Sequence, residues 1–239
     1  MTLSKRLQAV ADRIPQSKTY ADIGCDHGYL PIALILSGTV EHAIAMDLRK
    51  GPLERAREHV LQNGLEDRIE LRLSDGADAL TPEDHVDTIT VTGMGGRLLL
   101  RILERGADIF QSAHDIFVSP QSDIPLVRAK VLDIGYAIVD ESMVEDDGKY
   151  YVILHLQPAE PIAPIPDLSK AELLYGACLR SKKDPVLYEY LLAEQKQTMK
   201  ICETLKDSTT KAAQTAYKRA KEKLKVIESA LLDQKRLGG

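Results

Sequence analysis

Asp22-Ile23-Gly24-Cys25-Asp26-His27-Gly28-Tyr29-Leu30-Pro31 carries the chain from an apolar run, Tyr20 to Cys25, into a segment of helical period, Gly28 to Leu36. Glycines at the junction permit a sharp strand-to-helix turn and let the backbone approach a bound group. Outward from this point the same alternation recurs. Strands are predicted at Ala43 to Leu48, Ile69 to Ser74, Thr88 to Thr92 and Ile116 to Ser119, and helices at Pro52 to Asn63, Arg97 to Arg105 and Ile124 to Asp133. Strands joined by helices imply a parallel, doubly wound α/β sheet. After Gly135 two longer strands, Tyr136 to Val144 and Tyr150 to Leu156, flank Glu145-Asp146-Asp147-Gly148-Lys149, a hairpin turn signal, so an antiparallel hairpin closes the sheet.

The 239 residues, 44 % hydrophobic, suffice for one sizeable core and a smaller second unit. The boundary falls in 158–167, where Pro158, Pro161, Pro164 and Pro166 resist helix and central strand. Residues 1–157 form the first domain and 168–239 the second. In the second, a helix is predicted at Lys170 to Leu179. Leu187, Leu191, Glu194, Thr198, Ile201 and Leu205 recur at steps of four and three, as do Ala213, Tyr217, Ala220, Leu224, Ile227 and Leu231. A break at Lys206 to Lys211 makes this a helical coiled-coil hairpin or short bundle, able to close on itself or pair weakly with a second copy: a monomer or weak homodimer. The net charge of -5 is uneven, with 15 Lys and Arg against 9 Asp and Glu from Leu168 onward and 16 against 27 before it. No apolar run can span a membrane and the N-terminus lacks a signal-peptide core, so the expected location is cytoplasmic. Cys25, Cys178 and Cys202 have no zinc or disulfide spacing, and no metal is expected.

The glycines of the first turn are not spaced as G-x-G-x-x-G, and Asp26 stands where a pyrophosphate would be repelled. A cationic sulfonium cofactor, S-adenosylmethionine, tolerates those carboxylates. Two further acids close strands: Asp47 can hold the hydroxyls of a ribose, and Asp75, before Gly76, can accept from an adenine amino group. A lone acid after a strand is usually a cap; three converging on one crevice favour a Rossmann-like methyltransferase. The candidate cofactor wall is Asp22, Gly24, Cys25, Asp26, Gly28, Tyr29, Leu30, Asp47, Leu48, Asp75, Gly76, Gly93, Met94 and Gly95. The run Thr92-Gly93-Met94-Gly95-Gly96-Arg97 stands where a substrate meets the cofactor, and Gln121 after the fifth strand can read a base edge.

Leu3-Ser4-Lys5-Arg6-Leu7, the Ala21 to Pro31 stretch, Gly93-Met94-Gly95-Gly96 and Pro120-Gln121 together resemble the bacterial tRNA (adenine-22) N1-methyltransferase family, across essentially the whole chain. The resemblance implies a class I methyltransferase fold and methylation of N1 of an adenine in the D-arm region of tRNA. Cys25-Asp26-His27-Gly28 departs slightly from the family's commoner Ser-Asp-His-Ala.

Adenine N1 carries its own lone pair, so alignment matters more than a strong base. Asp26 is the candidate for charge stabilisation or proton acceptance, and Tyr29 for stacking on the base; the simpler roles are a helix cap and a core ring. Lys5, Arg6, Arg97 and Arg128 are candidate tRNA contacts, with the lysines of the C-terminal helices as a second basic surface. Two other readings fit: a methyltransferase for small molecules or proteins, and a noncatalytic RNA-binding scaffold.

Overall fold

The computed structural model describes residues 2–160 and 165–235, which divide into two units, Met1–Pro166 and Asp167–Gly239. Pro161 and Pro164 of the expected linker lie outside the described residues, while Pro158 ends the last strand.

In the first unit, helix α1 (Lys5–Ala11) precedes β1 (Ser17–Ile23), α2 (Tyr29–Leu36), β2 (Val40–Asp47), α3 (Lys50–Gln62) and β3 (Ile69–Leu73). There follow β4 (Thr88–Thr92), α4 (Gly96–Arg105), α5 (Ala107–Ser112), β5 (Asp115–Ser119), α6 (Ile124–Asp133), β6 (Tyr136–Asp146) and β7 (Lys149–Pro158). The seven strands run in the order β3-β2-β1-β4-β5-β7-β6. β1 to β5 pair in parallel, whereas β7 lies antiparallel to both β5 and β6. The sheet is therefore doubly wound with a hairpin edge, as the sequence pattern implies. Its order reverses between β1 and β4, which opens a crevice at the carboxyl ends of those strands.

The chemistry of the sequence explains the local form. Every residue of β4 is buried, in keeping with a central parallel strand. Gly28 caps α2 with a positive φ of 71°, and Pro31 falls in the first turn, where its missing N–H costs nothing. α1, α2 and α3 share an apolar cluster with the sheet through Val10, Ile32, Leu34, Ala56, Tyr20 and Phe117. Leu99, Leu103, Phe110, Val127 and Val131 are buried on α4, α5 and α6. Two short helices stand where the strand-helix alternation gives no element. α1 is capped by Ser4 Oγ, which accepts from Leu7 N at 3.3 Å, and α5 follows α4 after Gly106.

The second unit is helical: α7 (Lys170–Tyr175), α8 (Ala177–Lys182), α9 (Pro185–Leu205) and α10 (Lys211–Lys235). The single helix expected from Lys170 to Leu179 is divided at Gly176, whose φ of 82° breaks the helical path. α9 and α10 pack together across the expected break. Leu187, Leu191, Thr198, Ala220, Ile227 and Leu231 are buried, but Ile201 is half-exposed. Glu194 sits in this face fully satisfied: Tyr175 Oη donates to it at 2.7 Å, Tyr190 Oη at 3.0 Å, and Lys223 Nζ pairs with it at 2.7 Å. Among the described residues, no helix is long and apolar enough to cross a membrane.

One candidate contact is corrected by the fold. Arg128 is 1 % exposed and its Nε donates to Glu141 Oε1 at 2.7 Å, so it ties α6 to β6 inside the unit and cannot meet a phosphate backbone.

Candidate active site

The crevice holds a cavity of about 520 Å3 at the carboxyl ends of β1 to β4. Its wall contains Asp22, Gly24, Cys25, Asp26, Tyr29, Leu30, Asp47, Leu48, Asp75, Gly76, Gly93 and Met94, together with Arg6 and Gln121. The expected residues thus converge, with two exceptions. Gly28 and Gly95 do not line the cavity: they cap α2 and α4, and a Cβ on Gly28 would lie 3.2 Å from Ala56 Cβ.

Asp22 is 3 % exposed and accepts from Thr90 Oγ1 at 2.7 Å. Thr90 must then accept from Tyr20 Oη, so a buried relay runs from β1 through β4 and back to the cavity wall. Burial pushes the Asp22 carboxyl up to about 6; the Thr90 hydrogen bond opposes this and the nearby charge of Asp47 adds to it. A buried acid raised in this way favours a cationic partner. Burial and the surrounding carboxylates, led by Asp22, push the Cys25 thiol far above its ordinary range, which leaves it an apolar wall atom rather than a nucleophile.

Close packing shapes the turn. Gly24 N and Cys25 N both donate to Met46 O, at 2.9 and 2.8 Å, drawing the loop over the end of β2. Gly24 has a φ of 80°, and a Cβ there would lie 3.0 Å from Met94 Cε. Asp47 is nearly buried and accepts from Arg49 N at 2.8 Å, beside the exposed side chain of Leu48. Asp75 accepts from Arg105 Nη1 at 2.8 Å, so its carboxylate is already engaged at the cavity's edge.

The rings of His27, Tyr29 and His59 stack at the rim. Tyr29 lies 5.0 Å from His59 and 5.4 Å from His27, with interplanar angles of 23° and 7°. His59 Nδ1 hydrogen-bonds the His27 carbonyl oxygen at 2.9 Å, joining α3 to the turn. Asp26, in the left-handed region at a φ of 51°, is exposed, with Oδ1 3.6 Å from His27 Nε2. The loops after β4 and β5 are joined by Gln121 N donating to Met94 O at 2.9 Å.

Sequence reasoning placed Arg6 among phosphate contacts, yet it lines the cavity with Nη1 buried and, among the described residues, without an acceptor. Lys5 and Arg97 instead have solvated side chains outside the cavity. Missed altogether were His59, Arg49, Ser74, Leu98, Arg101 and Ile102. His59 lies 32 positions beyond His27, and nothing in the spacing signals that the rings meet. The sequence assigns Leu98, Arg101 and Ile102 no role beyond the helix, although they follow the period that brings one face to the strand ends.

Residues 3–154 match the family model described as a methyltransferase domain. A tRNA (adenine(22)-N(1))-methyltransferase of Bacillus subtilis is 34 % identical over 95 % of this chain and 93 % of its own length. The solved structure of the B. subtilis M1A22 tRNA methyltransferase TrmK covers 96 % of this chain and 99 % of its own, at 31 % identity and a TM-score of 0.80. Streptococcus pneumoniae Sp1610, solved in complex with S-adenosyl-L-methionine, covers 96 % of this chain and 100 % of its own, at 32 % identity and a TM-score of 0.83. A methyltransferase-domain model over residues 3–154 and a relative 34 % identical along nearly the full length of both chains have one consequence: the chain belongs to the methyltransferase-domain family and, within it, to the tRNA (adenine(22)-N(1))-methyltransferase family.

Proposed function

We propose that this protein methylates N1 of adenine 22, in the D-arm region of tRNA, using S-adenosyl-L-methionine. The observation that carries the proposal is a single cavity with a buried acid, Asp22, in its wall and an aromatic stack led by Tyr29 at its rim. A B. subtilis relative is named for this reaction and an S. pneumoniae relative was solved with this cofactor.

The donor set fits such a cofactor. Asp22 offers a buried anion to an ammonium, Asp47 a carboxylate to a ribose diol, and Leu48 and Ile102 apolar surface to an adenine ring. Asp75 contributes at the same end while held by Arg105. When bound, the cofactor supplies an electrophilic methyl on a sulfonium. The protein's part is then positional. Tyr29, supported by the two histidines, stacks on the target base. Asp26 accepts from the exocyclic amino group as positive charge develops on the ring, which an exposed carboxylate at the rim can do without a buried base.

In this reading residues 1–157 are catalytic, 158–167 link, and the helices of 168–239 form a coiled-coil arm that presents lysines to tRNA in the cytoplasm, with the protein a monomer or weak homodimer. Lys5 and Arg97 add phosphate contacts. The test is methyl transfer from labelled S-adenosylmethionine to unmodified tRNA, followed by nuclease digestion and mass spectrometry. A mark on N1 of adenine 22 supports the proposal, and cofactor binding without transfer to any tRNA overturns the substrate.

A further inference from the structure

We propose that His59 is a positioning residue for methyl transfer, acting on the reaction only through Tyr29, whose ring it fixes for stacking on the target adenine. This rests on the reaction proposed above and makes α3, a helix remote in sequence from the turn, part of the base platform.

α3 meets the turn at successive points. Gly28 has a φ of 71° and no side chain, and a Cβ there would lie 3.2 Å from Ala56 Cβ, so the helix sits close against the turn's backbone. Three residues further along α3, His59 Nδ1 donates to the His27 carbonyl oxygen at 2.9 Å. A carbonyl only accepts, so this bond places the ring proton on Nδ1 and fixes the plane of the imidazole. The same imidazole lies 5.0 Å from the Tyr29 ring, against 5.4 Å between His27 and Tyr29 and 6.0 Å between the two histidines. One side chain of α3 therefore holds both the backbone and the aromatic ring of residues 27 to 29.

Tyr29 has need of such a support. Among the described residues its hydroxyl makes no hydrogen bond, so the direction of the ring is left to packing. His27 belongs to the same turn and moves with it. His59 is carried by a helix whose Leu53, Ala56 and Val60 are buried in the core, which gives the ring a reference outside the turn. Nearly parallel planes with centroids 5.0 to 5.4 Å apart overlap only in part, and Tyr29 is still 36 % exposed, so ring surface remains for a base.

The competing explanation is a strut between α3 and the turn, which would matter whatever side chain stands at position 29. Two substitutions in the full-length protein, each also made in Tyr29→Ala, separate the two. His59→Asn keeps an N–H for the His27 carbonyl and removes the ring; His59→Phe keeps the ring and removes the N–H. With unmodified tRNA as substrate, His59→Asn is expected to lower kcat about 10-fold through misalignment. KM for tRNA should stay within about 3-fold, because phosphate contacts dominate that affinity. Calorimetry should find cofactor affinity within about 2-fold of wild type. His59→Phe should retain kcat within about 3-fold. In Tyr29→Ala, adding His59→Asn should cost less than about 2-fold more, since the ring it acts through is gone. An unimpaired His59→Asn, a His59→Phe as slow as His59→Asn, or the same 10-fold loss in Tyr29→Ala overturns the proposal. The cycle between His59→Asn and Tyr29→Ala decides alone if the phenylalanine variant does not fold. A wild type that binds cofactor but methylates no tRNA removes the reaction and this role together; an active wild type with additive losses removes only the role of His59.

Discussion

Thr90 Oγ1 donates to Asp22 Oδ1 across 2.7 Å, linking neighbouring parallel strands at the floor of the cleft. The bond does not undo the effect of burial: the carboxyl is raised from its ordinary 3.8 to about 6. The folded protein therefore holds this proton more tightly than the unfolded chain, so Asp22 destabilises the fold above pH 6, and the penalty fades as pH falls toward 4. Asp22→Asn, which can still accept from Thr90, is expected to stabilise the protein by roughly 2 to 3 kcal/mol at pH 8 and by about half as much at pH 5. Urea melts at the two pH values check this.

The same acid makes cofactor binding proton-linked. Affinity for S-adenosylmethionine should weaken on the order of tenfold per unit as pH drops below about 6, because the cation needs the ionised carboxylate. In Asp22→Asn the affinity is expected to be weak throughout and the slope largely lost. Calorimetric titration between pH 5 and 8 distinguishes the two profiles.

Tyr29 owes its placement to His59 as well as to its own turn. Tyr29→Phe should retain single-turnover methylation within a few-fold, since the ring remains, whereas Tyr29→Ala should lose roughly 10- to 100-fold in kcat/KM for tRNA. Equal effects of the two substitutions would assign the role to the hydroxyl.

Arg128 and Glu141 form an ion pair with both side chains 1 % exposed. Arg128→Ala leaves a buried carboxylate without its cation and is expected to cost about 3 to 5 kcal/mol, while the double change Arg128→Met with Glu141→Leu should recover most of it. Chemical denaturation of the three proteins measures the difference.

Gly96 is required by a close approach. A Cβ there would stand 2.5 Å from Ser122 O and 2.7 Å from Val127 Cγ2, where the backbone cannot yield cheaply. Gly96→Ala should cost about 1 to 3 kcal/mol. Gly38→Ala, with nothing within 4 Å, meets no clash and bears only the strain of its φ of 73°. Thermal melts of the pair separate crowding from backbone strain.

The alternation of apolar runs with helical periods was sufficient to specify a doubly wound sheet, because each such segment can bury its apolar face in only one type of layer. The hairpin turn at Asp147-Gly148 likewise announced the antiparallel closure, and the acids at strand ends announced a crevice, since the parallel order brings those ends together. All of this depends on neighbours in sequence or on a periodic pattern. Which cations face the crevice does not. Arg6 enters the cavity because β6 and β7, some 140 residues later, hold its backbone; Arg128, an equally polar letter, is buried because Glu141 lies within reach. The pairing of Tyr29 with His59 and the raised pKa of Asp22 are decided the same way, by contacts and burial between distant segments. Composition records which charges and rings a chain possesses; only the tertiary structure assigns each one a partner and a degree of exposure, and in this protein those assignments separate wall residues from internal struts.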